Sequence, residues 1–248
     1  MAGQGAASRP DLMLSAIAGG YLRNPVRSDR VTCTDCLTPV DGYELCFACR
    51  GHHVNTGVAD AIAFLTYAVA GQKSGHVMRG YKAPRPVTEH QQVVALLILL
   101  ALESHTRCAE ILASRPVTHW AVVPSLPAKP YAHPLRSLVA GRAKGIEVPL
   151  VAATSVQQAR AVNPAHFSCT VRLPQGSHVL LVDDTWASGG HAQSAVLALR
   201  EAGATSVSVL VVARWLNEDF GSNKSFIAEL ANHDYDPLRC PWTGGDCP

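Results

Sequence analysis

Two pairs of cysteines near the start of the chain have the spacing of a metal site. Cys33-Thr-Asp-Cys36 and Cys46-Phe-Ala-Cys49 are C-x-x-C motifs, and nine residues separate them. Two residues between cysteines let both sulfurs reach one ion, and a second motif completes a tetrahedral shell with no position for a catalytic water. The spacing therefore predicts a structural Zn²⁺ site bound by Cys33, Cys36, Cys46 and Cys49. Paired disulfides and free buried thiols are the alternatives.

A bound metal would also explain how so short a segment folds. About twenty residues bury too little apolar surface to form a core, whereas structural zinc contributes about 10–16 kcal/mol of folding free energy. The other cysteines carry less information. Cys108 and Cys169 are predicted to be buried thiols, while Cys240 and Cys247 flank a Pro/Gly-rich stretch and could close a loop or join a metal site.

A second chemical feature is a pair of adjacent carboxylates. The apolar run Val179–Val182 leads into Asp183 and Asp184, and then into Thr-Trp-Ala-Ser-Gly-Gly-His. Glycines let backbone N–H groups approach a phosphate, and the start of the following helix adds unpaired donors. The carboxylates would repel that phosphate, so their expected partners are hydroxyl groups. The pattern predicts a site for a pentose phosphate, with both carboxylates on the ribose hydroxyls.

Competing motifs are absent from the sequence. It contains neither the G-x-x-x-x-G-K-[ST] P-loop nor a G-x-G-x-x-G dinucleotide turn. The paired aspartates of a phosphatase would lie two positions apart, whereas these are adjacent. An acidic strand end without a ligand, as in a receiver-like domain, is the plainer alternative.

The elements that must position these residues alternate along the chain. Short apolar runs bounded by turns, joined by helices with one apolar face, are typical of a parallel sheet covered on both sides. We therefore predict a doubly wound, mostly parallel α/β fold with a small N-terminal zinc module. Its expected strands cover 120–123, 148–152, 179–182 and 207–213, and its helices 88–113, 135–144 and 192–202.

The expected organisation has four parts. These are an N-terminal helix and linker (1–30), the four-cysteine module (31–53), the main domain (54–233) and a Pro/Gly-rich tail (234–248). Of the 248 residues, 48% are hydrophobic and the net charge is +2, which argues against disorder. The longest apolar run, Val93–Leu102, is too short to cross a bilayer, so no membrane contact and a cytoplasmic location are expected.

The charge is unevenly distributed along the chain. Basic residues exceed acidic ones over 71–144, and acidic residues exceed basic ones over 183–248. This arrangement suits an anionic ligand held by a cationic wall and specific carboxylates. It falls short of the domain-wide basic excess expected of a nucleic-acid-binding protein.

At the acid pair and its loop the sequence resembles a known family. Four apolar residues, two acids and a Gly-rich loop look like the 5-phosphoribosyl-1-diphosphate (PRPP) motif of type I phosphoribosyltransferases. A four-cysteine module ahead of such a domain is similar to the layout of the competence-associated ComF family. Tyr81-Lys82, Val122-Val-Pro124 and Arg160-x-x-Asn163 with Phe167 resemble further stretches of that family. The resemblance covers roughly residues 30–215.

The resemblance implies roles for individual residues. Asp183 and Asp184 would bind the ribose hydroxyls, and the diphosphate would meet Ser125 and Leu126, with Lys129 or Arg136 as nearby cations. Residues 154–176 would form a mobile loop, and Arg160 would face the leaving diphosphate; Asp183, Asp184 and Arg160 would thus be the catalytic residues. The 5-phosphate would be surrounded by Ala187, Ser188, Gly189, Gly190 and His191.

Three loop positions depart from the relatives. Ser188 and His191 stand where the family usually has Thr, and a bound dianion could hold His191 protonated. Ala187 replaces an Asp that purine-salvage relatives use for the base, which counts against that route. Trp186 is expected to anchor the loop, with stacking on a base as the alternative.

The implied activity is transfer of a 5-phosphoribosyl group from PRPP, with Mg²⁺, to a nitrogenous acceptor that no motif identifies. The alternative is a non-catalytic PRPP sensor or DNA-uptake protein of the ComF type, whose zinc module binds single-stranded DNA or a protein. A PRPP-hydrolysing enzyme is a third possibility. No motif determines the oligomeric state.

Overall fold

The structure, a computed structural model, describes residues 9–248. Its central feature is a five-stranded, all-parallel sheet, whose spatial order is β1-β7-β6-β2-β3. A separate antiparallel pair is formed by β4 and β5. The strands are β1 (Ala61–Val69), β2 (His119–Val122), β3 (Ile146–Glu147), β4 (Leu150–Ala152), β5 (Phe167–Cys169), β6 (His178–Trp186) and β7 (Ser206–Leu216).

Seven α-helices are present in residues 9–248. The longest, α4, covers the apolar run expected to be a buried helix, and the first lies where an N-terminal helix was predicted. The helices are α1 (Pro10–Ala18), α2 (Phe47–His52), α3 (Lys73–Gly80), α4 (Thr88–Leu112), α5 (Pro134–Val139), α6 (Gly190–Glu201) and α7 (Asn223–Leu230). Residues 1–8 of the predicted N-terminal part lie outside the described residues.

Burial on both faces of the sheet confirms the predicted class. Along β6, Leu180 and Val182 pack in one apolar cluster with α1, α3 and α4, whereas Val179 and Leu181 pack in another with α6 and α7. Because side chains alternate across a strand, a strand with two apolar faces needs helices on each side. The fold is α/β, and all five strands of the main sheet are parallel.

Three predicted elements differ from those observed. Of the run 148–152, only Leu150–Ala152 forms a strand, the antiparallel β4, whereas β3 of the main sheet ends before the run, at Glu147. The helix predicted over 135–144 ends at Val139, five residues early. The strand predicted to end at Val182 continues to Trp186.

The cysteine module packs directly on the sheet. Cys33, Cys36 and Leu37 share an apolar cluster with Phe64 and Trp186. The Tyr67 hydroxyl on β1 donates a hydrogen bond to the Leu37 carbonyl at 2.8 Å. The module therefore contributes to the core of the main domain, while the proposed domain boundaries remain predictions.

Strand β1 lies at one edge of the sheet and, within residues 9–248, pairs only with β7, with Ala61 opposite Ser208. Strand β6 lies in the middle, between β7 and β2. Among residues 9–248, no helix combines the length and the apolar character that crossing a membrane requires.

Candidate functional site

The two aspartates lie inside the central strand rather than after it. The prediction that both emerge together at its end is wrong, because β6 extends through them, with Asp183 opposite Val211 of β7. Successive side chains of a strand point to opposite faces. Asp183 therefore points to the α6 face of the sheet and Asp184 to the α4 face, so the two carboxylates have different surroundings.

Asp184 is held by three donors. Its Oδ2 accepts from the Tyr81 hydroxyl at 2.8 Å and from Lys82 Nζ at 2.5 Å, and His133 Nε2 lies 3.3 Å away. Burial favours the neutral acid, but the His133 hydrogen bond and the Lys82 charge prevail and hold the pKa of Asp184 well below its usual range. Asp184 is therefore ionised in the folded protein.

Asp183, in contrast, keeps its proton near neutral pH. Burial and the neighbouring charge of Asp184 raise the pKa of Asp183 to about 8. Its Oδ1 accepts from the backbone N–H of Asp184 at 2.8 Å. Near neutral pH the pair thus holds one proton, which lets Asp183 donate as well as accept a hydrogen bond.

The loop after β6 is a tight turn into α6. Gly189 has φ +87°, and a Cβ there would lie 2.2 Å from the Trp186 indole, so this position requires glycine. The twelve-residue helix α6 starts at Gly190, and its first intrahelical-type bond runs from Gln193 N–H to Gly189 O. The preceding N–H groups of the first turn have no acceptor in the helix and are suited to an anion.

The chain between β4 and β5 packs on this helix start. The Ser188 hydroxyl donates to the Arg160 carbonyl at 3.3 Å, and a Cβ on Gly190 would lie 2.0 Å from that carbonyl oxygen. Asn163 N–H donates to Ser194 Oγ at 2.9 Å. The structure therefore brings Arg160 to the loop through its backbone, whereas its residue surface is exposed. The predicted role of its guanidinium remains a prediction.

His191 is not a ready cation for a phosphate. Burial lowers its pKa, so the ring is neutral near pH 7 in the ligand-free protein. Its Nε2 is buried and has no hydrogen-bond partner within residues 9–248, and the same holds for Trp186 Nε1. The expectation that a bound dianion holds the ring protonated remains a prediction.

The two cations predicted near the diphosphate both have partners within the protein, and their role remains a prediction. Arg136 is paired with Glu147, at 2.5 and 2.8 Å, and the exposed Lys129 lies over the Tyr131 ring. Ser125 and Leu126 are half-buried in the loop after β2, the strand beside β6. Lys82 contacts the acid pair directly, through Asp184 Oδ2.

The four cysteines of the module converge as predicted. All eight cysteines of the chain are free thiols, and the Sγ atoms of these four lie within 4.8 Å of one another. Cys36 and Cys46 Sγ are 3.6 Å apart. Hydrogen bonds among these thiols lower the pKa of Cys33 and raise the pKa of Cys36 and of Cys49. The set could hold one metal ion.

Arg214 on β7 links this cluster to the Gly-rich loop. Its buried guanidinium donates to the Cys36 carbonyl at 2.7 Å and to the Trp186 and Ala187 carbonyls at 2.9 and 3.0 Å. The Trp186 indole also packs edge-on to Phe64. Trp186 is therefore a loop anchor, as expected, and Arg214 is a structural connection that the sequence pattern did not reveal.

Three further residues, His133, His105 and Cys108, were missed as functional candidates. His133, like Arg214, carries no motif that distinguishes it from a surface histidine. A second cluster, formed by His105, Cys108, Cys240 and Cys247, also has its ligand atoms within 4.8 Å. The predicted buried thiol Cys108 belongs to it, whereas Cys169 is half-buried in β5.

Comparisons with known proteins do not identify the chain. No protein-family model matches it, and no curated protein matches it significantly.

Proposed function

We propose that the protein binds PRPP at the carboxyl edge of β6 and transfers its 5-phosphoribosyl group to a nitrogenous acceptor. One observation carries the proposal. A carboxylate pair, a Gly189–Gly190 turn and the start of α6 follow one another at the central strand of a parallel sheet. Ligands of such sheets bind beyond the carboxyl ends of the strands. The likeness to type I phosphoribosyltransferases and to the ComF family is part of the proposal.

The 5-phosphate would lie against the turn from Ala187 to His191. The backbone N–H groups of this turn and the positive end of α6 provide directed donors for a dianion. A bound phosphate would also give the unpartnered His191 ring an acceptor. The arrangement is therefore suited to a phosphate without a side-chain cation in the loop.

The ribose would be recognised by a shared-proton acid pair. Asp183 carries the proton and Asp184 the charge, so together they can donate to and accept from vicinal hydroxyls. Lys82 is only partly buried. We propose that it leaves Asp184 for the diphosphate when the sugar hydroxyls replace it as donors.

Transfer requires no protein nucleophile. The bond between ribose C1 and the diphosphate oxygen breaks with its electron pair on the diphosphate, the acceptor nitrogen bonds C1, and that nitrogen loses a proton. Mg²⁺ carried by PRPP, Lys82 and the exposed Arg160 side chain are the groups proposed to offset charge on the leaving diphosphate. Most of the rate would come from positioning of the two reactants and from closure of the chain between β4 and β5, residues 153–166, over the site.

The four-cysteine cluster is proposed to hold structural zinc. All four ligands are thiols and three of them are buried, which suits a closed tetrahedral site. Through Arg214 the ion would stabilise the backbone of the Gly-rich loop. Because Ala187 offers no proton-handling group, an acceptor other than a salvaged purine is favoured.

A non-catalytic PRPP sensor is the second candidate, and one observation favours it. Ala187, in the loop that would adjoin the acceptor, offers no group that could take the acceptor's proton during transfer. In this role the cysteine module would contact single-stranded DNA or a protein partner.

Calorimetry with PRPP and Mg²⁺ tests the binding common to both candidates. We expect saturable binding by the wild type, a loss of at least tenfold in affinity for the Asp183→Asn, Asp184→Asn double variant, and no change for the exposed control Asp219→Asn. Unchanged affinity in the folded double variant would refute the site. Base-dependent diphosphate release then supports the transferase, and binding without turnover across a panel of bases supports the sensor.

A further inference from the structure

Three cysteines and a histidine from opposite ends of the chain meet outside the proposed PRPP site. His105 and Cys108 lie one turn apart on α4, so their side chains share a face of that helix. Cys240 and Cys247 come from the segment after α7. The four ligand atoms lie within 4.8 Å of one another. We propose that this set is a second structural Zn²⁺ site, which fastens the C-terminal segment to α4.

The distances suit a tetrahedral ion. Zinc bonds of about 2.3 Å to sulfur and about 2.0–2.1 Å to nitrogen place the ligand atoms about 3.5–3.8 Å apart. His105 Nδ1 lies 3.4 Å from Cys247 Sγ and 3.8 Å from Cys108 Sγ. These separations are similar to the 3.6 Å between Cys36 and Cys46 Sγ in the four-cysteine cluster.

Simpler explanations leave part of the cluster unexplained. Three thiols cannot all pair, so a disulfide would leave one cysteine and the imidazole without a role, and all eight cysteines are free. His105 is buried, with a relative exposure of 5%, and its Nδ1 points at two sulfurs. Sulfur is a weak hydrogen-bond acceptor, whereas thiolate and imidazole together are a ligand set of structural zinc.

The backbone between the two tail cysteines is folded to bring them together. Cys240 N–H donates to the Gly245 carbonyl at 3.0 Å, and Gly244 N–H donates to the Cys240 carbonyl at 2.8 Å. Gly244 adopts φ +77°, a conformation favoured by glycine, and returns the chain toward α4. Like a zinc knuckle, this loop brings two cysteines together, and six residues lie between Cys240 and Cys247.

The tail has few other attachments at this end. Among residues 240–248, the buried residues are Cys240, Pro241 and Trp242, and the segment contains no helix or strand. Arg239 donates to the Gly244 carbonyl, which places a cation next to a site that carries net negative charge when three thiolates bind one Zn²⁺. The exposed Cys247 leaves a path for the ion to enter.

Metal analysis of the full-length protein tests the proposal. After removal of loosely bound metal, we expect two zinc ions per chain in the wild type and one in Cys240→Ser and in Cys247→Ser. The matched control Cys169→Ser, whose cysteine lies outside both clusters, should keep two. One zinc in the wild type, unchanged in both tail variants, would overturn the proposal.

Two further measurements on the wild type do not depend on how the variants fold. Titration of metal-free protein with Co²⁺ should give thiolate–cobalt absorption that saturates at two equivalents, whereas saturation at one would refute the second site. With 5,5′-dithiobis(2-nitrobenzoate) under native conditions, Cys247 should react slowly in zinc-loaded protein and rapidly after chelation. Equal reactivity, or a Cys240–Cys247 disulfide detected by mass spectrometry, would also refute it.

Discussion

Adjacent carboxylates can have opposite charge states when a strand separates their surroundings. Asp184 faces Tyr81, Lys82 and His133, whereas Asp183 faces the α6 side, and its bond within the protein is to the Asp184 N–H. The sequence correctly indicated that these two acids are unusual. It did not indicate their partners, because residues 81 and 133 reach residue 184 only through the packing of α3 and the loop after β2.

Asp183 should make the protein less stable as pH rises. An unfolded carboxyl ionises near pH 4, whereas the folded Asp183 keeps its proton to about pH 8. Unfolding therefore releases a proton between these values, and the free energy of unfolding falls by up to about 1.4 kcal/mol per pH unit. Asp183→Asn removes this contribution, so urea unfolding at several pH values should show a flatter dependence in the variant. If the free energies of unfolding of the wild type and the variant changed with pH in parallel, Asp183 would have an ordinary carboxyl pKa.

Arg214 is expected to be the most sensitive single position outside the cysteines. Arg214→Met leaves buried carbonyls of Cys36, Trp186 and Ala187 without their donor, and each such loss costs about 1–3 kcal/mol. We expect a loss of at least about 3 kcal/mol in urea unfolding and weaker PRPP binding. The control Arg142→Met changes an exposed arginine and should stay within about 0.5 kcal/mol. Similar stability of the two variants would contradict the assigned role.

At the scale of the elements, the start of α6 lies in close contact with the chain between β4 and β5, residues 153–166. Gly190 has no room for a side chain, because the Arg160 carbonyl occupies the Cβ position.

The bounds of the helices and strands could be predicted in part from the sequence. The long apolar patterns of α4 and α6 gave nearly correct bounds, since each shows a clear helical period. The extension of β6 was missed because its last residues are polar and are paired in the ladder with β7.

Gly190→Ala should displace the segment that carries Arg160. A Cβ only 2.0 Å from the Arg160 carbonyl forces the two backbones apart, and we expect several-fold faster trypsin cleavage after Arg160. Gly20→Ala is the control, because a Cβ there meets nothing within 4 Å. Unchanged cleavage in Gly190→Ala would show that the segment does not rest on the helix.

At the scale of the molecule, the α/β class follows from the apolar runs, and the four-cysteine cluster follows from local spacing. The second cluster could not be predicted in this way. His105 and Cys108 lie far along the chain from Cys240 and Cys247, and no spacing rule relates ligands that meet only through the tertiary fold. The tail sequence alone left both a loop closure and a metal site open.

Loss of metal from the four-cysteine cluster should destabilise the whole molecule, because the cluster packs in the main core. For a chain of this size, a net loss of about 4 kcal/mol lowers Tm by about 8–16 °C. We expect a decrease of this order for Cys33→Ser by differential scanning calorimetry, and little change for Cys169→Ser. An unaltered Tm in Cys33→Ser would show that the cluster does not hold a stabilising ion.

The strand order also has a consequence for biosynthesis. The edge strand β1 is translated early, yet its neighbour β7 follows about 150 residues later, with Ala61 opposite Ser208. At about 5–20 residues per second, the ribosome needs about 7–30 s to make that partner. Throughout this interval an apolar strand remains unpaired on the nascent chain, which makes it a natural substrate for chaperones that act during translation.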